Sequence, residues 1–179
     1  MKNKVLQKWV YPLLLLTFFS FPLIAQNQTV IDSSEVKSID RLIKALYDVI
    51  SGPAGQKRNW DRMRFLFKPQ ARLIATGKDS QGNIRYNSML LEDYITKNGA
   101  SLEKNGFFEI EIGRKTEQFG LVTHIFSTYQ TKFQADGKVM MRGINSIQII
   151  FDGSRYWIEN ILWNNETSEF PIPAKYLEK

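Results

Sequence analysis

The spacing of apolar residues changes period near the middle of the chain. Val36, Ile39, Ile43, Leu46 and Ile50 recur at intervals of three and four, which predicts one buried stripe on a helix. Asp32 or Ser34 supplies the N-cap, Asp32 and Glu35 have capping-box spacing, and Gly52-Pro53 stops the helix. Asn59 caps a second, shorter helix that buries Trp60, Met63, Leu66 and Phe67 and ends at Pro69. ARLIAT (71–76) reads as a strand, with IRY (84–86) as its partner across GKDSQGN. Ser88 opens a third helix. There Leu91, Tyr94 and Ile95 share a face, Gly99 takes the left-handed C-terminal position, and ASLEKNG adds a turn.

From Phe107 onward the period is two. FFEIEI puts Phe108, Ile110 and Ile112 on one face and Glu109 and Glu111 on the other. Three longer strands follow, separated by Asp136-Gly137 and Asp152-Gly153, both tight-hairpin signals. Helix, helix, short hairpin, helix and a long antiparallel meander define an α+β class, with helices on one face of a curved sheet. Residues 26–32 form a short N-terminal tail, and residues 166–179, with two prolines, a C-terminal tail across the surface.

If both Asp-Gly turns are two-residue loops, counting fixes the register. Asn145 then lies opposite Asn160 and Thr128, Ile147 opposite Ile158 and Phe126, and Ile149 opposite Tyr156 and His124. This apolar face, with its few polar groups, is expected under the helices. The opposite face collects Tyr129, Ser146, Gln148, Trp157, Glu159 and Trp163. Buried amides require hydrogen-bond partners, so Asn145, Asn160, Thr128 and His124 form either a closed network or the polar floor of a cavity. A three-residue bulged turn would instead send Trp157 and Glu159 inward and Asn160 outward. His124 is either a base poised near neutral pH or a hydrogen-bonded structural residue. Asp61, Glu92 and Asp93 sit where acids complement a helix N-terminus, and Asp61 is also a candidate acid at a cavity mouth.

The first 25 residues stand apart. Lys2, Lys4 and Lys8 precede an uncharged run from Trp9 to Ala25, about 17 residues against the roughly 20 a membrane span needs. A basic start, an apolar stretch and a small residue before a polar one describe a secretory signal peptide cut after Ala25. Cleavage would leave no stable membrane span and place the protein in the periplasm or outside the cell. It would also reduce the formal charge from +6 to +3, since three of the 24 basic residues leave and all 18 acids stay. No stripe of basic residues interleaved with stacking aromatics appears, so nucleic acid is not expected as a partner. KRNWDRMR (57–64) reads as a solvated helix face. With no cysteine and one histidine, thiol chemistry and Cys- or multi-His metal sites are excluded, and nothing calls for a cofactor.

IDRLIKALYDVISG, WDRMRFLFKPQARLIA and the closing ADGKVMMRGINSIQIIFDGSRYWIENILW resemble the NTF2-like superfamily, which includes the SnoaL-like and ketosteroid-isomerase-like proteins. The resemblance covers 33–165. It is most specific in F-x-P-x-A-R-L after the second helix and in R-G-x-N-S-x-Q followed by D-G-x-R-x-W-I. It implies a cone of helices over a strongly curved sheet, a pocket inside the cone, and frequent dimerisation through the outer sheet face. Isomerase and cyclase members of the family use an acidic side chain inside the cavity. In the register above, the last three strands send no Asp or Glu inward.

The expectation is therefore an exported domain that binds a small, partly apolar molecule. Trp60, Tyr94, Phe126, Ile147, Tyr156 and Ile158 would line its pocket, with polar contacts from His124, Thr128, Asn145 and Asn160. The alternatives are an enzyme of isomerase, dehydratase or hydrolase type using His124 as base, or a module that associates through Tyr129, Trp157 and Trp163, for instance as a homodimer.

Overall fold

A computed structural model describes residues 31–178, so the expected leader and most of the N-terminal tail lie outside the described residues. A 3-10 turn (Ser33–Val36) leads into α1 (Ile39–Ile50) and α2 (Trp60–Leu66). A hairpin of β1 (Phe67–Lys78) and β2 (Ile84–Leu90) precedes α3 (Leu91–Asn105). Four long strands follow: β3 (Phe108–Phe119), β4 (Val122–Lys132), β5 (Met141–Phe151) and β6 (Tyr156–Asn165). A second 3-10 turn (Ala174–Tyr176) lies in the C-terminal tail. No helix among the described residues is long and apolar enough to cross a membrane.

Local capping decides where the helices begin. The expected first helix is split. The Asp32 carboxylate accepts from the Ser34 N–H and caps the 3-10 turn, and the Ser38 hydroxyl accepts from the Arg41 N–H and starts α1. Asn59 caps α2 as its position predicts. The α3 helix starts three residues later than expected, because Ser88 is still paired with Ile74 in the β1–β2 ladder. Gly99 does not end α3 but lies inside it. A Cβ there would stand 3.1 Å from the Trp60 indole, so glycine provides the space in which α2 and α3 meet. The left-handed residue at the end of α3 is Gly106, with φ 74°.

The six strands form one sheet in the order β2-β1-β6-β5-β4-β3, antiparallel except where β1 runs parallel to β6. The helices cover its concave face. Leu42, Ile43, Leu46 and Val49 of α1 and Met63 and Leu66 of α2 are buried there against Phe67, Leu73, Ile125, Ile147, Ile149, Ile158 and Ile161. Burying each such side chain contributes about 1.5–3 kcal/mol.

The register corrects the expected faces. The β4–β5 connection is wider than a two-residue turn: the last pair is Thr131 with Met141, and Asp136-Gly137 lies within the loop between them. That loop holds an odd number of residues, so β4 is reversed relative to expectation. Thr123, Ile125, Ser127 and Tyr129 face the helices, while His124, Phe126 and Thr128 face outward. The β5–β6 loop spans four residues, with Phe151 opposite Tyr156, and keeps the expected faces for Asn145, Ile147, Ile149 and Ile158. A bulge beside Glu159 then exchanges the rest of β6, turning Asn160 outward and Ile161 and Trp163 inward.

The C-terminal tail crosses the outer face. The Thr128 hydroxyl donates to the Tyr176 carbonyl at 2.6 Å, and the Tyr176 ring lies 5.3 Å from that of Phe126.

Candidate functional site

The strand with the plainest alternation places its charged side inward. Phe107 exchanges two backbone hydrogen bonds with Gly52 just beyond the end of α1. The Ser51 hydroxyl accepts from the Glu109 N–H at 3.0 Å and donates to the Tyr47 carbonyl at 2.7 Å. These contacts pin the start of β3 so that Phe107, Glu109 and Glu111 share the concave side. Ile110 is left outside, 51% exposed. Parity also pairs Glu109 with Thr131 and Glu111 with Tyr129, placing polar residues opposite polar residues.

Glu109 opens into a cavity of about 290 Å³ under the helices. Leu46, Ile50, Met63, Leu73 and Ile161 form its aliphatic floor, and Tyr94, Phe107, Tyr129 and Trp163 its aromatic walls. Tyr94 and Trp163 meet edge to face, at 90° and 6.5 Å between centroids. Met141, 43% exposed, and the exposed Asn165 mark the mouth. Gly143 shapes this end. A Cβ there would come within 2.3 Å of the Tyr129 hydroxyl oxygen, and its absence lets Tyr129 donate to Asn165 Oδ1 at 2.6 Å.

A chain of hydrogen bonds leads from the cavity to the edge of the sheet. Asn145 Nδ2 donates to the Tyr47 hydroxyl at 3.1 Å and, more weakly, to Glu109 Oε1 at 3.4 Å. The Tyr47 and Ser127 hydroxyls are 2.7 Å apart, and Ser127 donates to Glu111 at 2.5 Å. Arg114 donates twice to Glu111 and once to Asp40. The carboxylate at the end fixes the direction of the chain. Ser127 must donate to Glu111, so Tyr47 donates to Ser127 and Asn145 donates to Tyr47.

The electrostatics follow from burial. Among the described residues Glu109 has no cationic partner, and burial pushes its carboxyl up to about 7, against a smaller lowering effect of the Asn145 amide. Burial also holds the phenols of Tyr47, Tyr94 and Tyr129 above the usual tyrosine range, and the negative charge of Glu109 adds to the effect on each.

A second, larger concavity of about 660 Å³ lies outside, between the 3-10 turn, α1 and α2. Its charges pair with one another or with nearby acids: Arg62 with Glu35, Arg64 with Asp61 and Glu92, and Lys57 with Glu103. Arg58, inside KRNWDRMR, is buried and donates to the carbonyls of Ile50, Gly52, Gln56 and Leu102, so it ties α3 to the end of α1. Among the described residues, no group of three or more His, Asp or Glu side chains is placed to hold a metal ion.

Of the residues expected at the pocket, the structure brings Tyr94 and Asn145 together in the cavity. Ile147 and Ile158 are buried in the core beyond it, and Tyr156 packs 4.9 Å from Phe151 near the β5–β6 loop. Trp60 faces the outer concavity, where its indole N–H donates to Glu103. The reversal of β4 puts His124, Phe126 and Thr128 on the convex face. There His124 Nε2 pairs with Ser146 Oγ at 2.9 Å, far from any group it could serve as base inside the cone. Asn160 is also on that side, and its buried Oδ1 has no partner among the described residues. Tyr129, Trp157 and Trp163 do not form one outer face. Tyr129 and Trp163 line the cavity, while Trp157 lies outside beneath the Lys68 and Arg155 side chains. Glu109, Phe107 and Tyr47 were not anticipated. The signal for Phe107 and Glu109 is their shared parity with Glu111, opposite a strand that carries Ser127, Tyr129 and Thr131.

No protein-family model matches the chain, and no curated protein matches it in sequence. Solved structures do match its shape. A protein of unknown function with a cystatin-like fold from Nostoc punctiforme superposes with TM-score 0.55 at 10% identity, over 73% of this chain and 90% of that one. A protein of unknown function from Mycobacterium tuberculosis gives 0.54 at 13% identity, over 76% and 80%. An uncharacterized cystatin-like protein from Caulobacter vibrioides gives 0.52 at 11%, over 73% and 89%. The fold is that of these structures, helices over one face of a curved sheet, in keeping with the NTF2-like shape that the sequence resemblance implies. At these identities the likeness defines the shape of the cone and not its chemistry, which belongs to the residues inside it.

Proposed function

We propose that this NTF2-like domain binds a small, partly apolar molecule in its cone, with Glu109 as the polar anchor. The observation that carries the reading is a carboxyl without a cationic partner among the described residues, facing a largely aliphatic and aromatic cavity with a few neutral polar groups and an open mouth. The volume lies near the lower end of the range for small-molecule sites, so the ligand is compact. The N-terminal leader pattern supports a place outside the cytoplasm. Native mass spectrometry of the protein purified from its own compartment tests the binding reading. A small molecule should co-purify, and Met141→Trp, which plugs the mouth, should abolish it. Bare polypeptide in both samples would reject the proposal.

One observation favours a second reading, in which the same site transfers protons. A carboxyl that burial pushes up to about 7 suits a general base, and Asn145 steadies one of its oxygens. Glu109 takes the role first assigned to His124. In deuterated water, the wild-type protein should exchange a ligand C–H and Glu109→Gln should not. Binding without exchange in both would leave only the first reading.

A further inference from the structure

We propose that the ligand of this cavity is a small organic cation, a protonated amine on an apolar body, whose ammonium docks against the Glu109 carboxylate within an aromatic enclosure. The inference rests on the binding reading above and adds the charge of the ligand.

Three observations carry it. The first is a charge inventory. Among the described side chains lining the cavity only Glu109 bears a formal charge, and no described Lys, Arg or His lines it. The nearby Arg114 is committed to Glu111 and Asp40, and Arg142 at the mouth end donates to Glu166. A net positive chain thus encloses a site whose interior potential is negative, and a bound cation would relieve the cost of keeping Glu109 ionised away from water. The second is the wall. Tyr94 and Trp163 stand at right angles, and Phe107 and Tyr129 also line the cavity, so π-faces are available to an ammonium. The third is unused hydrogen-bonding capacity. Thr131, directly across the ladder from Glu109, has a buried hydroxyl with no partner among the described residues. Glu109 itself receives one long bond from Asn145. An ammonium brings three donors and no acceptor, which suits the Glu109 oxygens and the Thr131 hydroxyl oxygen, all able to accept. An anionic ligand would meet Glu109 with no cation to offset it.

Titration calorimetry with three probes that share a ring and differ in head group tests the assignment. At about pH 8, benzylamine should bind roughly tenfold tighter than benzyl alcohol, and benzoate should not bind. Glu109→Gln should erase the preference for the amine and keep the alcohol. Equal binding of amine and alcohol by the wild type, or an amine preference that survives Glu109→Gln, overturns the cation assignment and leaves the cavity a binding site. Failure of all three probes overturns both. A wild-type pH series makes the test independent of the variant's folding. Amine affinity should rise between about pH 5.5 and about pH 8 while alcohol affinity stays level, because only the amine uses the ionised carboxylate. A flat amine profile contradicts the proposal.

Discussion

Two carboxylates on one strand face, Glu109 and Glu111, are placed in opposite circumstances. Glu111 meets the Arg114 guanidinium through two hydrogen bonds and the Ser127 hydroxyl through a third. Glu109, two residues earlier, meets a cavity and one distant amide. The strand supplies identical chemistry at both positions, and the neighbours decide what each is for. A charge that is paired and hydrogen-bonded on most sides holds elements together, here β3, β4 and the N-terminal end of α1 through Asp40. A charge left without a partner in an apolar enclosure is held at a cost in stability, and that cost makes it available to a ligand or a proton.

The largest expected effect comes from breaking the paired side. Arg114 and Glu111 are each only 20% exposed. Arg114→Leu leaves Glu111 charged without its counter-ion and should lower unfolding free energy by about 3 kcal/mol in urea titrations. The cavity should survive, because Arg114 lies outside it. A loss under about 1 kcal/mol would show that water already screens the pair and that the contrast with Glu109 is weaker than the geometry implies.

The paired side was less legible in the sequence than the fold around it. Helix stripes, the capping asparagine of α2 and the change to a period of two all follow from local spacing, which short-range physics controls. The faces of the sheet did not follow, because they depend on the parity of two loops and one bulge. An odd number of residues around Asp136-Gly137 moved His124, Phe126 and Thr128 out of the cone, and the bulge at Glu159 moved Trp163 into it. Glu109 was hidden for a related reason. Alternation shows that two faces differ, and burial of the apolar one is the default inference. A contact distant in sequence, Gly52 with Phe107, selects the other.

Relieving the unpaired side should give the next effect, of opposite sign. The raised proton affinity of Glu109 means that the folded state binds its proton more tightly than the unfolded chain, whose carboxyl titrates near 4.5. The contribution of Glu109 to stability should therefore be greatest below that value, fall as pH rises towards about 7, and level off above it. The gap corresponds to about 3 kcal/mol for a fully dry group, and partial access to cavity water reduces the expectation to about 2 kcal/mol. Glu109→Gln should be more stable than wild type by that amount at about pH 8 and equal to it near pH 4, as read from denaturation midpoints across pH. A variant less stable at alkaline pH would mean that Glu109 has a favourable partner.

The smallest effect addresses whether the two carboxylates are independent. Tyr47 joins them, accepting from the Asn145 amide that also reaches Glu109 and donating to the Ser127 hydroxyl that binds Glu111. Tyr47→Phe keeps the ring and removes the junction. Ser127 loses a donor and Asn145 an acceptor, at a cost of about 1 kcal/mol. The informative quantity is the double-mutant cycle with Glu109→Gln. With Tyr47 present, the Asn145 amide divides its two N–H groups between a phenol oxygen and Glu109. Without it, Asn145 is free to turn fully toward the carboxylate, which should then titrate lower and lose part of its alkaline penalty. Glu109→Gln should consequently stabilise the Tyr47→Phe background less than the wild type, by roughly 0.5–1 kcal/mol at about pH 8. A cycle that closes to zero would separate the cavity carboxyl from the paired one. Tyr47 would then be core packing with a satisfied hydroxyl, and the environment of Glu109 would be set by burial alone.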